Sequence, residues 1–382
     1  MIQFKIIKTS KKSRARLGFL ETPHGTIETP SLVPVATQAA VKTLSSEEVL
    51  STKTQVLIAN TFHLHDRPGE KIVQSAGGLH AFMNWKKPLM TDSGGFQVFS
   101  MGFGKDHGVG KVLKMFPGKE KSEPYAANAQ PRYLKITDEG VRFRSFVDGR
   151  ELFLGPKESI RIQELLGADI IFAFDECTSP LSSPEYIKKS LERTHRWARE
   201  CIKHKKSNQA LFGIVQGSSI KNLREESARY INSLGFDGFG IGGDLGKSKK
   251  DMMRILGWAI PHLDPMRPRH LLGIGYVEDI KDIIQSGIDL FDCTVPTHYA
   301  RNGVAFTKKG KLNLARTQFC NDKKPIDKTC VCPTCQNYSR MYLSHLFRAN
   351  EITGGKLLTI HNLFFYNSFV ERLREKIKQG RI

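Results

Sequence analysis

The chain alternates short apolar runs with longer amphipathic segments. From residue 155 onward, each apolar run leads into a polar or glycine-rich turn and then into a segment whose apolar residues recur at helical spacing. The run ADIIFAFDECTS precedes SSPEYIKKSLERTHRWARECIKH, in which Ser183 is the predicted N-cap, Pro184 lies in the first turn, and Ile187, Leu191 and Trp197 share one face. Strands that alternate with helices in this way indicate a parallel sheet.

Eight apolar runs fit this strand pattern. They are TPSLVPVAT, TQVLIANTFH, PLMTDSGGFQVFS, ADIIFAFDECTS, ALFGIVQG, GFGIGG, RHLLGIG and DLFDCTVP. Eight parallel strands fit a closed (β/α)8 barrel better than an open doubly wound sheet, because no nucleotide-binding fingerprint opens the series. The predicted fold is therefore α/β, built on a (β/α)8 TIM barrel.

Polar residues and glycines follow the predicted strands where each strand ends. They are Asp92, Asp175, Gln216, Gly242, Gly243, Gly273 and Asp292. Any one of them alone could be a turn former or a cap. The carboxyl ends of barrel strands, however, converge on the face of the barrel that carries active sites. We therefore expect these residues to meet in one site.

Several of these residues offer the hydrogen-bonding groups that a purine requires. Asp175 could accept hydrogen bonds from the ring N–H and exocyclic amine of a guanine-like base, while the Gln216 amide and the Gly243 backbone N–H could meet its carbonyl oxygen. The small residues after Asp92 let a flat ligand approach the backbone, and Phe96 could supply a stacking face. Each residue singly could be a cap or a core hydrogen bond, but together they predict a purine pocket.

Charge narrows the class of partner. The chain has 58 Lys and Arg against 38 Asp and Glu, a net charge of +20. Such an excess favours a polyanionic partner, above all a nucleic acid, although a general bias towards basic proteins is the alternative. No run approaches the length of a membrane span, and the start MIQFKIIKTSKKSRAR lacks the apolar core of a signal peptide. We expect a cytoplasmic protein.

A cysteine cluster near the carboxyl end predicts a metal site. The motif CVCPTC brings Cys330, Cys332 and Cys335 into one tight turn, which suits zinc better than disulfides in a reducing compartment. A fourth ligand must come from elsewhere, and His345 and His361 both lie downstream. Three Cys and one His would fill the coordination sphere of one Zn²⁺, which would therefore be structural. The alternative is free thiols in a loop.

These features divide the chain into two predicted parts. Residues 1–304 would form the catalytic barrel, and residues 305–382 a C-terminal zinc-binding subdomain packed on it. A Lys-, Gly- and Pro-rich insertion at about residues 103–139 interrupts the barrel pattern and would either contact RNA phosphates or form a solvated flap. Its GKDHGVGK segment is not a phosphate-binding loop, because Val112 stands where Ser or Thr is needed.

Motifs spread over nearly the whole chain resemble, in order, those of the bacterial-type tRNA-guanine transglycosylases, the queuine tRNA-ribosyltransferases. They are TDSGGFQVFS, FDECT, GIVQG, GIGG, LLGIG, FDCTVPTHYARNG and CVCPTCQNYSRMYLSHL…IHNLFFY. The resemblance implies a pentosyltransferase of queuosine biosynthesis. Such an enzyme exchanges the wobble guanine of G-U-N anticodon tRNAs for a 7-deazaguanine base, either 7-aminomethyl-7-deazaguanine or queuine.

The resemblance also implies the catalytic roles. Asp292 would attack the anomeric carbon of the ribose and hold the tRNA covalently, and Asp92 would act as general acid and base on the departing and entering purines. This is the double displacement of a retaining glycosidase, completed here by a base instead of water.

Further site residues follow from the same resemblance. The base pocket would comprise Ser93, Gly94, Gly95, Phe96, Asp175, Gln216, Gly243 and Leu272. RNA would be recognised by Gly273, Ile274, Gly275, Tyr276, Val277, Glu278, Asp279, Thr297, His298, Tyr299, Ala300 and Arg301. The Zn²⁺ ligands would be Cys330, Cys332, Cys335 and His361. A homodimer would form through the region of Tyr338, Tyr342 and His345.

Some residues depart from the family pattern. After GIGG the chain reads DLGKSKKDM, with Lys247 nearest the position where relatives carry a Glu that senses the aminomethyl group of the base. We hypothesise that Asp244 takes over this recognition. The alternatives to a catalytic tRNA enzyme are a non-catalytic tRNA-binding subunit and a relative that acts on DNA. No further RNA-binding module follows residue 382, so we expect modification within the anticodon.

Overall fold

The structure is a computed structural model that describes residues 2–99, 134–145, 148–246 and 248–382. In chain order the strands are β1 (Gln3–Thr9), β2 (Arg16–Thr22), β3 (Gly25–Thr29), β4 (Ser31–Ala36), β5 (Leu57–Ala59), β6 (Leu89–Thr91), β7 (Leu134–Ile136), β8 (Val141–Arg144), β9 (Glu151–Leu154), β10 (Ile170–Phe172), β11 (Ala210–Val215), β12 (Gly238–Ile241), β13 (Arg269–Leu271), β14 (Leu290–Cys293), β15 (Val304–Thr307) and β16 (Gly310–Asn313).

Helices connect and cover these strands. They are Ser46–Leu50, Thr61–Asp66, Glu70–Ser75, Gly78–Phe82, Pro156–Leu166, Pro184–His204, Lys221–Ser233, Lys249–Ala259, Val277–Gln285, Val295–Arg301, Pro333–Asn337, Arg340–Arg348 and Ile352–Lys378, with 3-10 turns at Ile260–His262 and Thr317–Phe319. Residues 95–99 are also helical. In the part of the chain that the structure describes, no helix has the length and apolar composition needed to cross a membrane.

Eight parallel strands close into a barrel in the order β4, β5, β6, β10, β11, β12, β13 and β14. The barrel closes where β14 pairs with β4, from Leu290 opposite Ser31 to Cys293 opposite Pro34. All eight predicted strands are therefore confirmed, and so is the (β/α)8 fold class. Buried side chains, among them Val33, Phe172 and Phe212, fill the interior, so the barrel is a packed core and not a channel.

The helix Pro184–His204 shows how the sequence pattern becomes packing. The Ser183 hydroxyl accepts a hydrogen bond from the Tyr186 backbone N–H at 3.2 Å, which caps the helix. Ile187, Leu191 and Trp197 are buried, as their helical spacing predicted. Lys188, Lys189, Glu192 and Arg196 are exposed on the other side, so the helix packs along one face.

Among the described residues, three smaller sheets supplement the barrel. Antiparallel β1, β2 and β3 precede it, β7, β8 and β9 lie between β6 and β10, and β15 pairs with β16 after the last barrel strand. The predicted insertion at 103–139 lies mostly outside the described residues. Its last part, 134–139, forms β7 and the turn that follows it.

The carboxyl-terminal residues pack beside β14. The helix Ile352–Lys378 lies against the helix Val295–Arg301 and β15. Within it, the Asn362 side chain donates hydrogen bonds to the carbonyls of Pro296 (3.0 Å) and Val304 (2.9 Å) and accepts one from the Phe306 N–H (3.0 Å). These buried bonds fix the long helix to the barrel. The domain boundary at residues 304 and 305 stays a prediction.

Candidate active site at the carboxyl end of the barrel

A cavity of about 680 Å³ opens at the carboxyl ends of the barrel strands. Its volume lies within the range usual for small-molecule sites. The structure brings to it all of the strand-end residues selected from the sequence, namely Asp92, Asp175, Gln216, Gly242, Gly243, Gly273 and Asp292. Ser93, Phe96 and Leu272 from the predicted base pocket also line it. The two predicted catalytic carboxylates therefore face the same space.

Asp92 is held at the end of β6 by the neighbouring strand end. Its Oδ1 accepts hydrogen bonds from the backbone N–H groups of Thr61 and Gly94, both at 3.0 Å, and its Oδ2 accepts one from the Asn60 side chain at 2.5 Å. Backbone donors cannot rotate away as side chains can. The carboxylate is thus fixed in orientation before any ligand arrives.

Asp292 is held from the adjacent strand, β13. Its Oδ1 accepts a hydrogen bond from the Gly273 N–H at 2.9 Å and lies 2.9 Å from His270 Nε2. His270 is fully buried, and its ring packs edge-to-face on Phe172 at 5.4 Å between ring centroids. Since Asp292 only accepts hydrogen bonds in its ionised form, His270 would carry the Nε2 proton. The histidine therefore orients the carboxylate within the cavity.

Asp175 and Gln216 form a buried hydrogen-bonded pair across the cavity floor. Gln216 Nε2 donates to Asp175 Oδ2 at 2.6 Å, and the Ser93 hydroxyl donates to Asp175 Oδ1 at 3.2 Å. A primary amide has a second N–H. The pair can thus present both acceptor oxygens and an amide donor to one edge of a flat ligand.

Two glycines leave the space that this pair requires. A Cβ added to Gly243 would lie 2.1 Å from Gln216 Oε1, and the φ of Gly243 is +78°, a conformation that favours glycine. A Cβ on Gly95 would lie 2.7 Å from the Asp175 carbonyl oxygen. Gly94 has a φ of +78° as well and directs its N–H to Asp92. Close contacts at the site therefore explain the glycines of the TDSGG and GIGG motifs.

The predicted RNA-contacting residues differ in exposure. Gly273, Glu278 and His298 are exposed, and Tyr276, Val277, Tyr299 and Arg301 are partly exposed. The others, Ile274, Gly275, Asp279, Thr297 and Ala300, are buried. A buried side chain can shape the surface or hold the backbone, but it cannot itself meet a phosphate. Direct RNA contact stays a prediction. Of these twelve residues, only the three exposed and the four partly exposed ones have atoms at the surface that could make it.

Sequence analysis missed residues that hold the two carboxylates. Asn60 and Thr61 follow β5, just as the predicted site residues follow the other barrel strands. Choosing the polar residues at the end of the LIANT run would therefore have found them. His270 lies in the middle of β13, between Arg269 and Leu271, and not at the strand end, so the same rule does not select it. Lys42 and His63 also line the cavity, and burial lowers the pKa of His63.

The cysteine cluster meets one histidine. The Sγ atoms of Cys330, Cys332 and Cys335 lie 3.9, 3.5 and 3.3 Å from His361 Nδ1. Ligands on one tetrahedral zinc ion, with bonds of about 2.0–2.3 Å, are separated by about 3.5 Å. His361 Nε2 lies 2.8 Å from the Phe306 carbonyl oxygen, which fixes the tautomer that leaves Nδ1 for the metal. These four residues fit a metal ion.

The structure shows which histidine lies with the three cysteines. His345 lies apart from the cluster, in a depression with Cys320, Met341 and Arg348. His361 comes from the helix Ile352–Lys378, so a bound ion would join the cysteine turn to that helix. Sequence spacing had left both histidines open.

Asp244 is not among the residues that line the cavity. Its buried carboxylate accepts hydrogen bonds from the Ser218 hydroxyl at 2.7 Å and from the Gly246 N–H at 2.8 Å. The fully buried Arg224 donates to the Asp244 carbonyl oxygen at 2.9 Å. These contacts stabilise the loop after β12. Recognition of an aminomethyl group by Asp244 stays a prediction.

Comparison with known proteins identifies the family. The model of the family described as queuine tRNA-ribosyltransferase matches residues 10–115 and 121–382. A putative queuine tRNA-ribosyltransferase of Archaeoglobus fulgidus is 47% identical, with 99% of this chain and 96% of that protein covered. The queuine tRNA-ribosyltransferases of Natranaerobius thermophilus and Moorella thermoacetica are each 45% identical, covering 98% and 100% of this chain and 95% of each relative. The chain therefore belongs to the queuine tRNA-ribosyltransferase family.

Proposed function

We propose that this protein exchanges the wobble guanine of tRNAs with a G-U-N anticodon for a 7-deazaguanine base through a covalent intermediate on Asp292. The observation that carries the proposal is that Asp92 and Asp292 line one cavity together with Asp175, Gln216 and Gly243. Two carboxylates beside a purine-sized recognition edge are the parts that a double displacement at a nucleoside requires. The names of the relatives support the same reaction class.

In the first displacement, Asp292 attacks the anomeric carbon of the wobble nucleotide. A C–O bond forms to the Asp292 carboxylate and the glycosidic C–N bond breaks. The departing guanine takes a proton from Asp92, which enters this step as the carboxylic acid and leaves it as the carboxylate. The hydrogen bonds from Gly273 and His270 hold the attacking carboxylate in place, which lowers the entropic cost of reaching the transition state.

In the second displacement, the incoming base returns the proton. The deazaguanine loses its ring N–H proton to Asp92, its nitrogen attacks the anomeric carbon, and the bond to Asp292 breaks. Asp175 accepts hydrogen bonds from the donor edge of either base, and the second N–H of the Gln216 amide meets the carbonyl. The wobble nucleotide leaves its stack to enter, which single-stranded loop bases do at low cost.

Exchange of radiolabelled guanine tests the proposal. The native protein should exchange guanine into tRNA and not into DNA, with 7-aminomethyl-7-deazaguanine and queuine as competitors to determine the base used. Asp292→Asn should abolish both exchange and the denaturation-resistant adduct with tRNA, and Asp92→Asn should slow base exchange. An adduct that persists in Asp292→Asn contradicts the covalent role. Tight tRNA binding without exchange in the native protein would instead support a non-catalytic subunit.

The tRNA would lie over the mouth of the cavity. Lys42 is exposed at the cavity lining, and His298 and Arg301 follow the Asp292 strand. The net charge of +20 adds a long-range attraction for the phosphates. Binding should therefore weaken as salt rises, in proportion to the number of phosphates neutralised.

We further propose that the Cys330, Cys332, Cys335 and His361 cluster binds one structural Zn²⁺ and that the protein is a homodimer. Three thiolates and an imidazole are the donors that zinc prefers.

The Tyr338 and Tyr342 rings stack at 5.5 Å and are 37% and 41% exposed, which makes an aromatic surface suited to a second copy in the proposed homodimer. Sedimentation of the native protein and of a Tyr338→Ser, Tyr342→Ser variant tests the dimer. The cytoplasmic location stays a prediction from the sequence.

A further inference from the structure

A second group of potential metal ligands lies at the other end of the barrel. It consists of His24 in the turn between β2 and β3, His80 in the helix Gly78–Phe82, and Asp169. Asp169 directly precedes β10, so the group lies at the amino ends of the barrel strands, opposite the active-site cavity. The proposed base exchange uses none of these residues.

The donor atoms lie close enough together to bind one ion, and His24 and Asp169 are hydrogen-bonded to each other. His24 Nδ1 lies 2.7 Å from Asp169 Oδ1, and His80 Nε2 lies 3.3 Å from Asp169 Oδ2. One donor atom of each residue lies within 4.8 Å of those of the other two. Nitrogen and oxygen ligands with bonds of about 2.0–2.2 Å to one ion are separated by about 3–3.5 Å. Small side-chain adjustments would suffice to bind an ion.

Hydrogen bonding within the protein does not explain the burial of the His80 ring. Both of its ring nitrogens are buried, and neither makes a well-aligned hydrogen bond with a described residue, although Nε2 lies 3.3 Å from Asp169 Oδ2. A buried polar atom without a partner costs about 1–3 kcal/mol, and native proteins usually satisfy such atoms with protein, water or an ion. The His24 ring lies only 3.5 Å away between centroids.

Asp169 is a preorganised ligand. Its Oδ2 accepts a hydrogen bond from the Leu89 N–H at 2.9 Å, and its backbone bonds to both neighbouring strands, through Leu89 on one side and Ala210 on the other. The carboxylate is almost fully buried and cannot swing away. His24 is 43% exposed, so an ion and a completing water molecule can reach the group from solvent.

We propose that His24, His80 and Asp169 bind a second divalent transition-metal ion, distinct from the ion of the cysteine cluster. Two imidazoles and a carboxylate suit Zn²⁺ and the neighbouring Co²⁺ and Ni²⁺ better than Ca²⁺ or Mg²⁺, which prefer oxygen ligands. The ion joins the β2–β3 hairpin to the barrel through ligands from three separate segments. Its role is to stabilise this end of the barrel.

Metal content tests the proposal without any assay of base exchange. Native protein, equilibrated with free Zn²⁺ held by a chelating buffer, should contain two equivalents of zinc by mass spectrometry of the metal. His24→Ala should contain one. The matched control is His204→Ala, which removes another partly exposed histidine that lies beside a carboxylate, 3.3 Å from Glu200, and this variant should keep two equivalents. One equivalent in the native protein, or two in His24→Ala, overturns the proposal.

A spectroscopic measurement separates the two sites. When Co²⁺ is added to protein whose cysteine cluster holds Zn²⁺, visible d–d bands should appear without thiolate charge-transfer bands in the near ultraviolet. The bands should be lost in His24→Ala and retained in His204→Ala. Added Zn²⁺ should also raise the Tm of the native protein but not that of His24→Ala. Thiolate bands alone, or an equal Tm shift in both proteins, would contradict the assignment.

Discussion

At the scale of single residues, the orientation of Asp292 depends on a histidine that no motif identified. His270 is buried within β13 and lies 2.9 Å from Asp292 Oδ1. A carboxylate that must attack one carbon atom loses rate steeply when its orientation is wrong, since a displacement of 1 Å can cost on the order of 100-fold. His270 therefore acts as a positioning residue in the proposed mechanism.

The first prediction concerns this contact. His270→Leu removes the Nε2 donor and should lower kcat for guanine exchange by about 10- to 100-fold. The KM for the base should change little, because His270 is fully buried and does not line the cavity. His270→Gln places an amide N–H near the same point and should recover part of kcat. Steady-state kinetics measure both. An unchanged kcat in His270→Leu, with the fold intact by circular dichroism, contradicts the positioning role.

The second prediction concerns Gly243. In Gly243→Ala the new methyl carbon would lie 2.1 Å from Gln216 Oε1, so the amide must leave its position against Asp175. The KM for the base should rise at least about tenfold, since each lost hydrogen bond to a polar ligand edge is worth about 1.5 kcal/mol. Gly257→Ala is the matched control, because no atom lies within 4 Å of its added Cβ. That helical substitution should leave the KM unchanged and stabilise the fold by about 0.5–1 kcal/mol.

At the scale of secondary-structure elements, the helix Ile352–Lys378 connects both candidate sites of the carboxyl half. It supplies His361 to the cysteine cluster, and its next residue, Asn362, bonds to the segment that follows Asp292. Neighbouring residues of a helix point in different directions, so one turn of this helix reaches both the metal site and the barrel. The helix therefore links the cysteine cluster to the segment that follows Asp292 beside the active site.

The third prediction tests that connection. Asn362→Leu leaves the Phe306 N–H and the carbonyls of Pro296 and Val304 buried without their partner, so the free energy of unfolding should fall by about 2–3 kcal/mol. Denaturant unfolding followed by circular dichroism measures the change. The exposed Asn208→Ala should change stability by less than about 0.5 kcal/mol. Equal stability of the two variants would show that the bonds of Asn362 do not hold the helix.

At the scale of the whole molecule, the barrel places two metal-ligand groups at different positions. The cysteine cluster joins residues 330–335 to the carboxyl-terminal helix, and the His24, His80 and Asp169 group joins the amino-terminal hairpin to the barrel. Neither group faces the active-site cavity. Metal ions at both places would stabilise the fold without taking part in the base exchange.

The fourth prediction concerns removal of the cysteine-bound ion. Chelation should lower the free energy of unfolding by several kcal/mol, because three thiolates and an imidazole lose the ion that holds them together. Hydrogen exchange should increase first in residues 320–365, and added Zn²⁺ should reverse the change. Cys332→Ser should behave like the chelated protein, whereas Cys320→Ser, outside the cluster, should not. Uniform exchange across the barrel, or no change at all, contradicts a local structural role.

The sequence by itself determined the periodic elements and the chemistry of their ends. Strand and helix periodicity depends on neighbouring residues, so the eight barrel strands and the N-cap at Ser183 could be predicted. The strand-end residues could be placed together because the carboxyl ends of parallel barrel strands always meet. Three cysteines within six residues indicated a metal for the same local reason.

Only the tertiary structure decided which distant groups meet. It brought His361 to the cysteines, a choice that spacing left open and that only the family resemblance had implied. It also placed His270 against Asp292, turned the Asp244 carboxylate towards Ser218, and brought His24 and His80 to Asp169. Partners separated by tens of residues share no local pattern. Their contact depends on how helices and loops pack around the closed barrel, and this packing is fixed by the sum of many buried contacts and not by any motif.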